Sequence, residues 1–256
     1  MTLELLGLLS RIRLGKSESS LQRAAELQFL FPLIGAFVGL LVAIVASLLF
    51  MFVADAVGSL TIGVVTCLLL YFITGIIHIE GLADFGDGLM ASGDAERKRS
   101  AMKDVSLGAG GTFLMILDIA MLISLISQLD GVKSVSIPWF WGTELPSVLG
   151  IVVAEAAGKL AMITAMRIGP SSHEGMGSVF VSTATNLRYM IGLVIAIAIG
   201  IIAVGPYGLI ILAGVVSGIV IAIIARKNFG GVGGDSFGAS NEIGRLMALL
   251  IWVILP

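Results

Sequence analysis

The sequence predicts an all-α, polytopic membrane helix bundle of about seven transmembrane helices, with its N-terminus on the cytoplasmic side. Three observations carry this. Hydrophobic residues make up 57% of the 256-residue chain and charged residues only 12%, against roughly 25% charge in a soluble domain. Mean hydropathy is +1.07. Apolar windows long enough to cross about 30 Å of hydrocarbon recur along the whole chain.

In order, those windows fall near 29–53, 56–79, 111–129, 146–168, 189–204 and 206–225, with a shorter one at 243–256. Gly205-Pro206 marks a tight turn between the fifth and sixth. Residues 1–28 come first and read as an amphipathic interfacial segment, since Arg11, Arg13 and Lys16 follow a short apolar stretch with no basic region before it, a pattern unlike a cleaved signal peptide. The polar stretches between windows are too short for a separate soluble domain, so residues 1–256 form a single integral membrane domain.

Lys and Arg set the orientation. With the N-terminus inside, thirteen of the fifteen basic residues fall on the inner side, from Arg11 through Arg97, Lys98, Arg99 and Lys103 to Arg226, Lys227 and Arg245. Lys133 alone is external, and Lys159 lies within a span. The segments richest in polar residues and glycine, 80–111, 169–188 and 226–242, then share the cytoplasmic face. Trp139, Phe140 and Trp141 in an outer loop read as an interfacial belt. No nucleic-acid partner is expected, the lipid bilayer is one partner, and a homo-oligomer is compatible with the sequence. The single cysteine, Cys67, excludes an intrachain disulfide and reads as a small buried hydrophobe.

The chemistry concentrates in HIEGLADFGDG. On a helix continuing through this run, Asp84 and Asp87 stand within roughly 40° and 20° of Glu80, so the three acids share one stripe. Such acids repel one another, and a hard divalent cation is the natural neutraliser. The same spacing would also suit a solvated acidic helix end. Lys103 and Asp104 precede the glycine-rich GAGG, where backbone amides at a helix start can receive an anion. It lacks the lysine and Ser/Thr ending of a P-loop.

In MRIGPSSHEGMGSVF, Pro170 and three glycines force a defined turn around His173 and Glu174, which suit substrate contact or loop shaping. In RKNFGGVGGDSFGASNEIGR, Asp235 follows two glycine pairs on a flexible element, and Asn241 and Glu242 stand at the mouth of the last span. Asp235 suits a metal or sugar-hydroxyl contact, or an Asx turn. Within the spans, Glu155 and Lys159 are four apart and are expected to neutralise each other, whereas Asp118 has no partner evident in sequence. His78 projects about 160° from Glu80 and reads as an interface histidine. Gly35/Gly39 and Gly214/Gly218 follow the small-xxx-small pattern of close helix packing.

HIEGLADFGDGLMA with the downstream MKD and glycine turn, together with GPSSHEGMG and GGVGGDSFGASNEIGRL, resembles the cobalamin synthase (adenosylcobinamide-GDP ribazoletransferase) family in an archaeal form. The order and spacing of the blocks fit over nearly the whole chain. The resemblance implies a magnesium-dependent plasma-membrane enzyme that joins adenosylcobinamide-GDP to α-ribazole or its 5'-phosphate and releases GMP at the cytoplasmic face. It also implies catalytic roles for Glu80, Asp84, Asp87, Lys103 and Asp104, with Mg2+ on Glu80, Asp84, Asp87 and Asp104. Substrate contacts are expected from His173, Glu174, Asp235 and Asn241. Many bacterial members carry Asp in place of Glu80, Arg in place of Ser106 and Thr in place of Gly233. Two other readings stand beside it: a lipid enzyme like the CDP-alcohol phosphotransferases, whose arginine after the second aspartate-glycine is missing from DGLMASGDAER, and a transporter using Asp118, Glu155 and Lys159.

Overall fold

The computed structural model describes residues 21–133 and 145–255. Most of the proposed N-terminal interfacial segment and the Trp139-Phe140-Trp141 belt lie outside the described residues. The described chain is helical apart from a two-stranded pairing of Val132–Lys133 with Leu145–Pro146.

The helices are α1 (Leu21–Glu26), α2 (Phe31–Val57), α3 (Ser59–Thr74), α4 (Ile77–Met90), α5 (Ala95–Met102), α6 (Ala109–Ile126), α7 (Leu149–Ile168), α8 (Met176–Thr183), α9 (Asn186–Val204), α10 (Ala213–Phe229) and α11 (Gly234–Ile254). A 3-10 stretch, Gly205–Leu212, joins α9 to α10. By length and apolarity the described residues hold five stretches able to cross a membrane, or six with the bent α3–α4 pair. One of them, Asn186–Phe229, doubles back. The backbones of Gly200 and Gly208 touch, whereas eight residues of straight helix would hold them about 12 Å apart.

The bundle is built around α7. Its window is 94% buried, and its sequence, LGIVVAEAAGKLAMITAMRI, is apolar and small-sided all round, the composition of a helix with protein on every face. Gly35 and Gly39 of α2 lie against the α7 backbone at Glu155 and at Ile151 and Val152, and Gly214 and Gly218 of α10 lie against Ala157 and Ala161. Both small-xxx-small pairs therefore serve close packing. The outward faces of α2 and α3 keep large apolar residues exposed, among them Phe52, Leu60, Leu68 and Phe72, as a lipid-facing surface requires. Cys67 is buried and unpaired, as expected.

Three sequence expectations need correction. The second apolar segment does not run on as one helix through the acids: it ends at Gly75, whose φ of 73° belongs to the left-handed region, and α4 leaves α3 at 95°. The last helix begins at Gly234 rather than near 243. Its first turns are low in hydropathy because they face protein, so a window tuned to lipid overlooks them. Arg245, counted among the inner-loop cations, is 2% exposed in the middle of α11.

Contacts sort the loops to two ends. At one end Ser59 Oγ donates to Asp130 at 3.2 Å and Trp252 Nε1 to the Ser147 carbonyl at 2.7 Å. At the other, Lys98 reaches Asn228 at 2.7 Å, Arg99 donates to the Phe229 carbonyl at 2.7 Å, and the Ser172 amide donates to the Val232 carbonyl at 3.0 Å. The three polar segments singled out in the sequence thus gather at this second end.

Candidate active site

At this end α4 crosses α11 where Gly81 faces Asp235 and Gly238, its position for a Cβ only 3.1 Å from Asp235 Cα. The crossing sets the first turn of α11 beside the acidic face of α4. A cleft of about 790 Å³ opens there, lined by Glu80 and Asp84 from α4, Lys103 and Asp104 from the segment after α5, and Asp235 from α11. Its other wall is apolar and includes Leu68, Ile76, Ile79, Met115 and Ile119. Asp84 stands in the combined field of Asp235, Glu80 and Asp87. So Glu80 and Asp84 share one cleft, although the helix bearing them is not the one expected.

Asp87 is differently engaged. Its Oδ2 accepts the Gly108 amide at 2.8 Å and its Oδ1 the Gly111 amide at 2.8 Å, which caps the free N-H groups at the start of α6. A Cβ on Gly111 would come within 2.7 Å of that carboxylate, so the glycines of GAGG make room for it. The anion received by this helix start is the protein's own. Asp87 lies outside the cleft lining and steadies the loop that carries Lys103 and Asp104.

Asp104 is fully exposed and accepts the Ser106 amide at 2.9 Å, which holds its carboxyl below the usual range. His173 sits in a recess next to the cleft, its Nδ1 2.8 Å from Ser172 Oγ. Partial burial, then the charges of Lys103 and Arg99, hold its imidazole below the ordinary value. Asp235, expected on a flexible element, instead occupies the first turn of α11. Glu174 is exposed and lines neither opening.

Asn241 belongs elsewhere. It is 2% exposed, accepts from Lys159 Nζ at 2.7 Å and donates to Glu242 at 2.9 Å. It is part of an internal cluster centred on Arg245, which pairs with Glu242, with Glu155 at 3.3 Å and with Asp118 at 3.6 Å. Glu155 thus pairs closely with Arg245 while its charge also acts on Lys159, as their spacing predicts, and Asp118 gains Tyr71, whose hydroxyl donates to it at 2.9 Å. Lys159 Nζ also lies 3.2 Å from His78 Nε2, which bears out the interface reading of that histidine. Tyr71, which the sequence reading passed over, joins cluster and cleft, for it also lines the cleft. Arg99 and Ser172 were passed over too, having looked like an anchor and a turn residue.

The cleft's donor set is entirely carboxylate oxygen, the chemistry of Mg2+ rather than of a soft metal. Among the described residues, no three His, Cys, Asp or Glu side chains form a ready-made metal-holding group. An ion bound there would rest on one or two carboxylates and be completed by substrate phosphate and water.

Fold and site together define an integral membrane protein with an acid-lined, one-lysine cleft at one end of its bundle. The chain belongs to the cobalamin-5-phosphate synthase family, which it matches over residues 2–253. It is 38% identical over 241 residues to the adenosylcobinamide-GDP ribazoletransferase of Methanocella arvoryzae, covering 88% of this chain and 84% of the relative. The enzyme of the same name from Methanococcoides burtonii is 32% identical over 249 residues, 97% of this chain and 89% of the relative. That of Pyrococcus furiosus is 36% identical over 190 residues, 73% and 76% respectively. No solved structure matches the chain.

Proposed function

We propose that the chain transfers adenosylcobinamide phosphate from adenosylcobinamide-GDP to α-ribazole or α-ribazole 5'-phosphate, releasing GMP, in the lower-ligand attachment step of cobalamin biosynthesis. The names of its relatives support the reaction. The observation that carries the reading to particular residues is the cleft, where Glu80, Asp84, Asp104 and Asp235 stand around a single lysine, Lys103. Unoccupied, such a set is poorly balanced. A diphosphate arriving with cations would balance it.

In the reaction an acceptor hydroxyl oxygen forms a bond to the corrinoid-side phosphorus, the bond from that phosphorus to the GMP phosphate oxygen breaks, and the hydroxyl proton leaves to a base. Lys103 supplies a point charge toward the departing phosphate. One or two of the cleft carboxylates Glu80, Asp84 and Asp235 would hold Mg2+, with exposed Asp104 at the rim, and the ion when bound would polarise the phosphoryl oxygens. Asp87 holds the α6 start and the preceding loop in register. The apolar wall suits the flat, weakly polar portions of the substrates.

Counting α3–α4 as one crossing and α9 and α10 as two would give seven crossings, and the basic-residue bias supports a cleft end that faces the cytoplasm, in the plasma membrane. A transport reading is less favoured, because the intramembrane charges are engaged with one another rather than lining an open path. Purified protein in lipid, given adenosylcobinamide-GDP and α-ribazole with Mg2+, should yield coupled corrinoid and GMP in equal amounts. Movement of a substrate across the membrane without diphosphate cleavage would refute the proposal.

A further inference from the structure

The recess beside the cleft has the opposite electrical character. Arg99, Lys103, Ser172, His173 and Gly233 bound it, and Lys103 and Asp235 form the wall it shares with the cleft. Glu80, Asp84 and Asp104 line the cleft but not the recess, while Arg99 and His173 line the recess but not the cleft. An anion in the cleft meets carboxylates and needs a cation beside it. An anion in the recess meets the held Arg99 guanidinium, the exposed Lys103, an imidazole and a hydroxyl, with the Asp235 carboxylate on the shared wall.

The recess is also held in shape. Arg99 donates through one terminal nitrogen to the Phe229 carbonyl at 2.7 Å, which fixes the guanidinium and leaves its remaining N-H groups available. The turn carrying Ser172 and His173 is pinned to the start of α11 by backbone bonds at Val232, one at 2.7 Å and one at 3.0 Å. The carboxylate of Asp235 is offset by Lys103, whose charge acts on both Asp235 and His173. Three chain segments thus present cationic and polar groups to one point, one side chain away from the acid cleft.

Resting on the reaction proposed above, we infer that this recess receives the 5'-phosphate of a phosphorylated ribazole acceptor, recognised directly by Arg99, Ser172 and His173 without a bridging metal, with Lys103 on the wall between the recess and the departing phosphate. The donor's two phosphates are the reacting groups and belong among the carboxylates. The acceptor's monoester stands apart from its attacking hydroxyl, so it needs a second anion site nearby. Arg99 suits that task because its planar fork matches phosphate geometry.

The test compares α-ribazole with α-ribazole 5'-phosphate on the full chain in lipid, using Arg99→Gln, which keeps an amide donor toward Phe229 but loses the charge. The ratio of kcat/KM for the phosphorylated acceptor over the plain one should fall roughly 10- to 100-fold, mostly through KM. Arg99→Lys should recover part of it, and Ser172→Ala should move the ratio the same way by less. Equal losses on both acceptors would overturn the inference. So would an unchanged ratio accompanied by weaker inhibition by GMP, which would assign the recess to the leaving group. Direct binding separates this from failure of the reaction itself. If wild-type protein binds the phosphorylated acceptor more tightly than the plain one and Arg99→Gln erases the difference, the recess is as inferred even where no product forms; if the two bind alike, it is not.

Discussion

Two regions of this bundle are rich in charge, and they treat it in opposite ways. Within the bundle, Asp118, Glu155 and Glu242 surround Arg245, with Tyr71 bonded to three of these four and Lys159 held by Asn241 beside His78. At the end of the bundle, four carboxylates face one lysine around an open cleft. The first set places Arg245 and Lys159 among its three carboxylates, so most of its charge is met within the protein, and it is nearly sealed from solvent. The second leaves its charge exposed and unbalanced. Buried charge inside a membrane bundle is therefore not by itself a mark of chemistry here; the informative feature is charge that the protein leaves unmatched.

The comparison breaks most sharply at Asp84. Asp84→Ala should lower GMP release by roughly a thousandfold or more, while thermal unfolding of the detergent-solubilised protein stays close to wild type or rises, since one repelling acid is removed. Arg245→Met should do the reverse. It strands buried acids and should cost about 3–5 kcal/mol of stability, read as a fall in the unfolding midpoint, with smaller loss of activity per folded molecule. If Arg245→Met left stability untouched, the cluster would not be the structural element described.

Asp87→Ala lies between the two. Losing both amide contacts should cost about 1–3 kcal/mol and speed hydrogen exchange at Gly108 and Gly111, with activity falling because the loop bearing Lys103 loosens. Unchanged exchange there would contradict the capping role. The smallest effect concerns His173. The chain has two histidines, and by NMR the His173 imidazole should titrate below an ordinary histidine. Lys103→Met removes a positive neighbour and should move that midpoint upward; a downward move would contradict the electrostatic picture.

The membrane bundle, the gathering of three polar segments and the shared face of Glu80 and Asp84 were legible in the sequence, because hydropathy and helical periodicity are local properties. What failed depended on partners distant in sequence. Glu155 and Lys159 do lie four apart and the Glu155 charge acts on Lys159, but that spacing does not reveal the closest contact of either. Arg245 on α11 offers Glu155 a partner 90 residues away, and Asn241 and His78 offer partners to Lys159. The amides of GAGG were recognised as an anion site, yet nothing local reveals that Asp87, 21 residues earlier, fills it. Two signals were present and underused: Gly75 inside an apolar run, a cue for a break, and Glu242 with Arg245 at i,i+3, a cue that the last helix starts early.

The most direct measurement is Mn2+ binding, followed by electron spin resonance, to the protein in lipid with adenosylcobinamide-GDP present and no acceptor. Wild-type protein should take up Mn2+ in a donor-dependent manner, Asp84→Ala should lose that uptake, and Arg245→Lys should retain it. Equal donor-dependent uptake by wild type and Asp84→Ala would contradict the assignment of the carboxylate cleft as the place where the diphosphate is held.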